Sequence, residues 1–99
     1  MGVWSDLMMR HRRAIPPTLA EWREIKAIGN RIRCIRENSG LSVEQLHVKS
    51  RISRVYWYEI ERGTINVPIG TLMKMTRVLG VGLLDLVYVG RAKPGRKAA

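Results

Sequence analysis

One short segment carries hydrogen-bonding and apolar side chains on opposite faces of a predicted helix. Trp57 and Ile60 are spaced i, i+3, and they form an apolar face that we expect to be buried. The opposite face carries a cation, an aliphatic group, a phenol and a carboxylate: Arg54, Val55, Tyr58 and Glu59. These groups can donate and accept hydrogen bonds and can make apolar contacts. A helix of this kind is available to enter a groove of a binding partner.

The sequence offers no combination of side chains for catalysis or for a metal ion. It has no paired carboxylates, no glycine-rich phosphate loop and no Ser-His-Asp set, so we predict that the protein is not an enzyme. His47 has only His11 as a second histidine and no cysteine nearby, which argues against a metal site. No histidine is placed to activate Cys34, which we interpret as a helix-surface or core thiol. We predict neither a cofactor nor a metal.

Two short helices joined by a tight turn are predicted to position the hydrogen-bonding face. Ser42 and Gln45 have the spacing of a capping box at the start of the first helix. The break between the helices is predicted at residues 49–52, and Ser53 then caps the second helix. Gly63 ends the second helix, as a left-handed residue commonly does.

This segment resembles the helix-turn-helix domains of phage repressors and of the XRE group of bacterial regulators. The most specific match is I-E-R-G at 60–63, at the right distance after L-S-V-E-Q-L at 41–46. Caps, spacing and apolar positions agree with one another over about residues 28–87. The other matching residues are Arg36, Gly40, Ser53, Leu72, Met75, Leu79, Gly80, Val81 and Leu86. The resemblance implies an all-α, five-helix repressor-like domain that binds duplex DNA and regulates transcription.

The resemblance also implies roles in DNA binding. The positions that face the major groove are those of Arg54, Val55, Tyr58 and Glu59. Arginine can make a bidentate contact to guanine, valine can contact a thymine methyl group, glutamate can accept from cytosine, and tyrosine can touch a base or a phosphate. We place Arg54 and Val55 first, because N-terminal residues of a recognition helix reach the bases. The candidates for phosphate contacts are Ser42, Gln45, Arg51, Arg62, Thr64 and Asn66. For each base-facing residue the alternative is a solvated helix surface.

A structural ion pair between Arg36 and Glu61 is implied in the same way, and two separate surface charges are the alternative. Three residues depart from the family pattern. Val43 stands in place of the usual glutamine, His47 in place of a small residue that lets the two helices approach, and Arg51 in place of glycine in the turn. A non-glycine residue in the left-handed region costs about 1 kcal/mol or more. Arg51 could therefore reshape the turn.

Further helices are predicted on both sides of this segment. A capping box at Thr18 opens an apolar stripe that runs to about Asn38, as one helix or as two that break at Gly29. Pro68 suits the first position of the next helix. The inner face of that helix is predicted to be Ile69, Leu72, Met75, Thr76 and Leu79. A last short helix is predicted at residues 83–87.

We divide the chain into an N-terminal extension at 1–27, a helix-turn-helix domain at 28–90 and a basic flexible tail at 91–99. The start of the extension, residues 1–13, has apolar residues at i, i+3, i+4 and then several arginines, which predicts a short helix; a frayed arm is the alternative. The extension could pack on a partner protein or reach DNA phosphates. The residues concerned are Trp4, Leu7, Met8, Arg10, Arg12 and Arg13.

The composition supports a polyanionic partner. Eighteen Lys plus Arg against eight Asp plus Glu give a formal net charge of +10, which together with the helix-turn-helix pattern favours DNA. No apolar run is long enough to span a membrane, and no helix has the faces of a membrane-surface helix. A single cysteine and the absence of a signal-peptide pattern predict a cytoplasmic protein. Because we expect it to bind DNA, we also predict that it is nucleoid-associated.

We expect a homodimer on an inverted-repeat site, because one recognition helix reads only a few base pairs. The C-terminal stretch matches the family's usual dimer contact and has hydrophobic residues on more than one helix face. The predicted interface consists of Leu83, Leu84, Val87, Tyr88 and Val89. The alternative function is a protein-interaction module on the same fold, such as an antitoxin or an antiactivator. A salt-dependent preference for one inverted repeat distinguishes the first function from the second.

Overall fold

The computed structural model describes residues 15–87, in which five α-helices and no strand occur. The helices are α1 (Leu19–Asn38), α2 (Val43–Ser50), α3 (Arg54–Arg62), α4 (Ile69–Leu79) and α5 (Leu83–Val87). Helix α1 packs on α3 and α5, and α2 packs on α3 and α4. This confirms the predicted all-α, five-helix fold. None of the helices in this range is long and apolar enough to cross a membrane. The predicted N-terminal helix, the basic tail, Tyr88 and Val89 lie outside the described residues.

The predicted caps close the N-termini of the first three helices. The backbone N–H of Glu21 donates to the Thr18 hydroxyl at 3.1 Å, and the Glu21 carboxylate accepts from the backbone N–H of Thr18 at 2.9 Å. Ser42 and Gln45 form the same reciprocal pair at α2, and Ser53 caps α3. Each cap satisfies backbone donors that the first turn of a helix leaves unpaired. The starts of these helices are therefore specified by a few neighbouring residues.

Helix α1 is continuous, and Gly29 lies directly against the backbone of α3. A Cβ atom on Gly29 would lie 2.2 Å from the backbone oxygen of Ile60 and 2.7 Å from that of Glu61. One turn away, Gly63 ends α3 with φ +72°, and a Cβ there would lie 2.4 Å from the Cα atom of Lys26. The two glycines thus allow the backbone of α1 to contact the C-terminal end of α3. This contact supports α3 on its buried side.

The core lies where α1, α2, α3 and α4 meet and extends to α5. The buried apolar residues are Ile32, Val43, Leu46, Ile52, Trp57, Ile60, Leu72, Met75, Leu79 and Leu86. The predicted inner face of α4 is wrong at Ile69, which is 58% exposed. Pro68 is the N-cap rather than the first helical residue, and the exposed first turn of α4 extends past the core. The buried stripe of this helix therefore begins one turn later, at Leu72.

Candidate DNA interface

Helices α2 and α3 form a helix-turn-helix unit whose turn comprises residues 51–53. The predicted break at 49–52 is wrong at its start, because Lys49 and Ser50 are still helical. Arg51 adopts the left-handed conformation, with φ 65° and ψ 21°, and its backbone N–H donates to the carbonyl of His47 at 2.9 Å. Arginine thus takes the conformation that favours glycine, and its side chain remains exposed beside the recognition helix.

Replacing Arg51 by Gly is expected to stabilise the fold by roughly 0.5–1 kcal/mol, because glycine reaches the left-handed region without strain. Arg51→Ala is the matched control: it removes the same charge but keeps the strained conformation. Urea unfolding of both variants measures the difference. A lower stability of Arg51→Gly than of Arg51→Ala would contradict backbone strain at this position. Both variants lose the same cation, so we expect DNA binding to weaken equally in both.

Two of the departures from the family pattern, His47 and Val43, lie in α2, where local contacts accommodate them. His47 is half-buried, and its Nδ1 atom lies 3.1 Å from the carbonyl oxygen of Ile52. A carbonyl oxygen only accepts, so this hydrogen bond requires the proton on Nδ1. The imidazole thereby joins α2 to the turn. Val43, which stands in place of the family's glutamine, is buried in the core.

A buried hydroxyl that sequence reasoning missed holds the two helices in register. The Oγ atom of Ser50 accepts a hydrogen bond from the indole Nε1–H of Trp57 at 3.1 Å and another from the backbone N–H of Ile52 at 3.1 Å. Ser50 and Trp57 are both buried. A buried indole N–H usually requires an acceptor, and this requirement was the available signal. The contact fixes the angle at which α3 leaves the turn.

The free face of α3 largely follows the prediction. Val55 is 66% exposed, Tyr58 is 44% exposed, and Arg54 is also exposed at the N-terminal end of the helix. Glu59 is half-buried, whereas the prediction placed it on the free face. The structure therefore brings an arginine, a valine and a tyrosine together on one accessible face, with Glu59 at its edge.

Arg54 is held by an acidic residue of α2 that the sequence did not single out. Its Nη1 atom donates to the carboxylate of Glu44 at 2.5 Å. This hydrogen bond raises the pKa of the Arg54 guanidinium above its ordinary value. The pair bridges α2 and α3 on the exposed side. Because a guanidinium has several N–H donors, one contact with Glu44 leaves donors for a base.

The predicted phosphate-binding residues fall into three groups. Ser42 and Gln45 engage each other in the capping box of α2, and the Thr64 hydroxyl donates to the carbonyl of Glu59 at 3.2 Å. These residues shape helix ends as well as facing solvent. Arg51 and Arg62 are exposed cations. Asn66 is exposed, but it borders a groove beside Ile25 and Ile28 of α1.

Arg36 joins the last turn of α1 to α3. Its Nε donates to Oε2 of Glu61 at 2.6 Å and its Nη2 donates to Oε1 at 2.9 Å, while Nη1 donates to the carbonyl of Leu41 at 3.2 Å. The side chain of Arg36 is 13% exposed and that of Glu61 is 4% exposed. The hydrogen bond with Glu61 raises the pKa of the Arg36 guanidinium above its ordinary value. This fork fixes the end of α3 against α1.

The residues predicted for a dimer contact differ in exposure. Leu84 is 70% exposed, whereas Leu83 and Val87 are half-buried against the core. The neighbouring Leu86 is fully buried within the chain.

Cys34 is exposed, which selects the helix-surface alternative for this thiol. Within residues 15–87, no three His, Cys, Asp or Glu side chains are grouped so as to hold a metal ion.

Comparison with known proteins places this geometry in a family. A family model described as a helix-turn-helix domain matches residues 27–87. Over 69 residues the chain is 36% identical to the control protein C.BamHI of Bacillus amyloliquefaciens, with 66% of this chain and 85% of that protein covered.

Solved structures give the same assignment. The restriction-modification controller protein C.AhdI from Aeromonas hydrophila has a TM-score of 0.63 and 31% identity, over 65% of this chain and 97% of its own. The clp gene regulator ClgR from Corynebacterium glutamicum has a TM-score of 0.65 and 26% identity, over 84% of each chain. The matched residues contain the helix-turn-helix unit described above, together with the packing that supports it. The chain belongs to the helix-turn-helix domain family and is a DNA-binding transcription regulator of the XRE type.

Proposed function

We propose that this regulator recognises one duplex sequence through the free face of α3 and that it acts as a homodimer on an inverted repeat. The observation that carries this proposal is the combination of a rigidly held helix with exposed reading residues. The buried side of α3 is fixed by Glu61 and Trp57, while Arg54, Val55 and Tyr58 are accessible. Preorganised side chains lose less freedom on binding, which favours discrimination between bases.

Arg54 is the first candidate for base reading. It lies at the N-terminal end of α3, and in a helix-turn-helix these residues contact base edges in the major groove. Its guanidinium contacts the carboxylate of Glu44 in the structure without DNA. Val55 next to it offers a methyl-bearing surface for thymine. Tyr58 lies one turn further along the same face, where it can extend the contact along the groove.

The charge distribution supports contacts to phosphates around this helix. Arg51 is exposed in the turn and Arg62 is exposed at the last turn of α3, so cations flank the reading face at both ends. The chain as a whole has a net charge of +10. Contacts of this kind fix the register of a protein on DNA without selecting the sequence. A DNA partner would place the protein at the nucleoid.

The target sequence must be set by the reading residues of this chain. The relatives carry different regulatory names, since C.AhdI is a restriction-modification controller and ClgR is a clp gene regulator. One fold therefore serves different genes. Two half-sites with centres about 34 Å apart, or a multiple of that distance, are expected for a two-fold dimer.

Arg54→Ala is expected to weaken binding to the preferred site by about 1–3 kcal/mol and to relax one base position. The site is first selected from random duplexes with the wild-type protein, and all single-base variants are then measured. Arg62→Ala is the charge-matched control, for which we expect a uniform loss across sequences and a change in the salt slope of about 0.9. Unchanged base preference in Arg54→Ala would reassign the reading to other residues. A wild-type affinity that does not depend on salt would overturn DNA binding itself.

A further inference from the structure

An apolar groove runs along the N-terminal half of α1, on the side that faces the loop after α3. Its deep end is a pocket of about 120 Å³, lined by residues that include Ile25, Ile28, Val67 and Leu72. It continues into a more open depression of about 310 Å³ that shares Ile25 and Ile28. Glu21 and Glu24 line this outer part. The groove is therefore apolar inside and acidic at its mouth.

The dimensions of the deep end suit a protein side chain rather than a small ligand. Pockets for drug-sized ligands typically have volumes of about 300–1,000 Å³ and combine apolar walls with several convergent polar groups. The deep end has less than half of the smallest of these volumes, and its walls are aliphatic apart from Asn66 and the backbone at Gly29. The outer part reaches about 310 Å³ but is more open. An apolar side chain inserted from a peptide would fill such a space without leaving a polar group unpaired.

The groove is formed where the N-terminal extension meets the helix-turn-helix domain. The family model matches residues 27–87, whereas the outer walls come from Ile15, Pro17 and the first turns of α1. The free face of α3 does not line it. The groove is thus separate from the base-reading face of α3, although Asn66, a candidate phosphate contact, lines both of its parts. Its occupant therefore has a role other than base recognition.

We propose that residues 1–14 of the same chain bind in this groove. The first argument is continuity along the chain. Ile15 lines the mouth of the groove, and residues 1–14 directly precede Ile15. Fourteen residues span up to about 46 Å when extended and about 21 Å as a helix. The groove follows α1 from Glu21 to Ile28, which is about 10 Å at the helical rise. The segment is therefore long enough in either conformation.

The second argument is chemical complementarity. Trp4, Leu7 and Met8 fall at i, i+3, i+4, which would present three apolar side chains to the aliphatic walls. Arg12 and Arg13 follow close to the mouth, because Arg13 is only two residues, at most about 7 Å of chain, from Ile15. Glu21 and Glu24 are the acidic residues at that mouth. The order of apolar and basic residues along the segment thus matches the order along the groove.

The test uses the full chain and compares amide chemical shifts of groove residues in ¹H–¹⁵N spectra. Met8→Ser removes an apolar side chain from the proposed contact, while Met9→Ser changes the same residue type off the apolar stripe. Glu24→Lys reverses the charge at the mouth, and Glu37→Lys is its control at the other end of α1. We expect Met8→Ser and Glu24→Lys to shift the signals of Ile28 and Val67 in the same direction, with the two controls close to wild type.

A second measurement identifies which chain supplies the segment. In an equal mixture of labelled and unlabelled chains, isotope-filtered nuclear Overhauser effects separate contacts within a chain from contacts between chains. Contacts from the Met8 methyl group to Ile28 within one chain support the proposal. The same contacts between chains would overturn it in favour of a clasp between two copies. Identical groove shifts in Met8→Ser and Met9→Ser would also overturn it.

Discussion

Replacing Arg36 by Met is expected to destabilise the protein by about 3–5 kcal/mol, because it would leave the carboxylate of Glu61 buried without a cation. The Glu61 side chain is only 4% exposed, and both of its oxygens accept from Arg36. Small domains have free energies of unfolding of roughly 5–15 kcal/mol. The loss is therefore a large fraction of the total stability. Glu61→Gln is the milder change, because the amide oxygen can still accept one hydrogen bond from Arg36, whereas the amide NH2 group cannot replace the second acceptor.

The double variant decides whether the two charges act together. Arg36→Met and Glu61→Gln should each lower the free energy of unfolding in urea, and the combination should lose less than the sum. Strict additivity would show that the pair does not couple in solution. The exposed pair of Arg54 and Glu44 provides the control, since its side chains are 56% and 63% exposed. An Arg54→Met change should leave the unfolding midpoint close to wild type, because exposed ion pairs contribute little.

Proton linkage gives the same pair a defined pH behaviour. The hydrogen bond with Glu61 raises the pKa of Arg36 in the folded state. A raised pKa means that the folded state holds this proton more tightly than the unfolded state, so the contribution is fully present below the unfolded pKa. It is lost only as the pH rises through the folded pKa, which lies beyond the usual range of stability measurements. Titration of Arg36 itself therefore adds no pH dependence to the stability over the range in which stability is usually measured.

Local patterns were sufficient to predict most of the helices. Capping boxes at Thr18 and Ser42 need only a hydroxyl and a carboxylate or amide three residues later, and both form as predicted. Gly63 and Gly80 end α3 and α4 with left-handed backbones, which L-residues with side chains reach only with strain. Information of this kind is contained within a few consecutive residues. It is accessible before the tertiary structure is known.

Contacts between helices were less accessible to sequence reasoning. The carboxylate of Glu44 meets Arg54 ten residues away, and the hydroxyl of Ser50 meets Trp57 seven residues away, in each case across the turn. Both contacts depend on the angle between α2 and α3, which no local spacing specifies. Gly29 left open one helix or two, because its role is a close approach to the backbone of Ile60. The base-reading roles of Arg54 and Val55 remain predictions, because they require the DNA.

Leu84→Glu is expected to give folded monomers whose affinity for the inverted repeat is lower by about 10²–10⁴-fold, the usual gain from joining two binding modules. We expect the monomer to stay folded because Leu84 is exposed. Leu84 is 70% exposed within the chain, whereas the neighbouring Leu86 is fully buried and Leu83 and Val87 pack against the core. A charge at position 84 therefore leaves the monomer fold intact, while a charge buried in an apolar dimer contact is costly. Helix α4 also exposes Ile69 and Met73, which adds apolar surface beyond α5.

Leu19→Glu is the matched control, because Leu19 is 69% exposed but lies in the N-terminal extension at the start of α1. Analytical ultracentrifugation gives the mass of each variant, and circular dichroism shows whether its helices are retained. If the interface is at α5, Leu84→Glu sediments as a monomer and binds a single half-site as the wild type does, whereas Leu19→Glu stays dimeric. The opposite pattern, with Leu84→Glu dimeric and Leu19→Glu monomeric, would place the interface in the extension. Two dimeric variants would exclude both leucines, and the exposed side chains of Ile69 and Met73 on α4 would be the next to test.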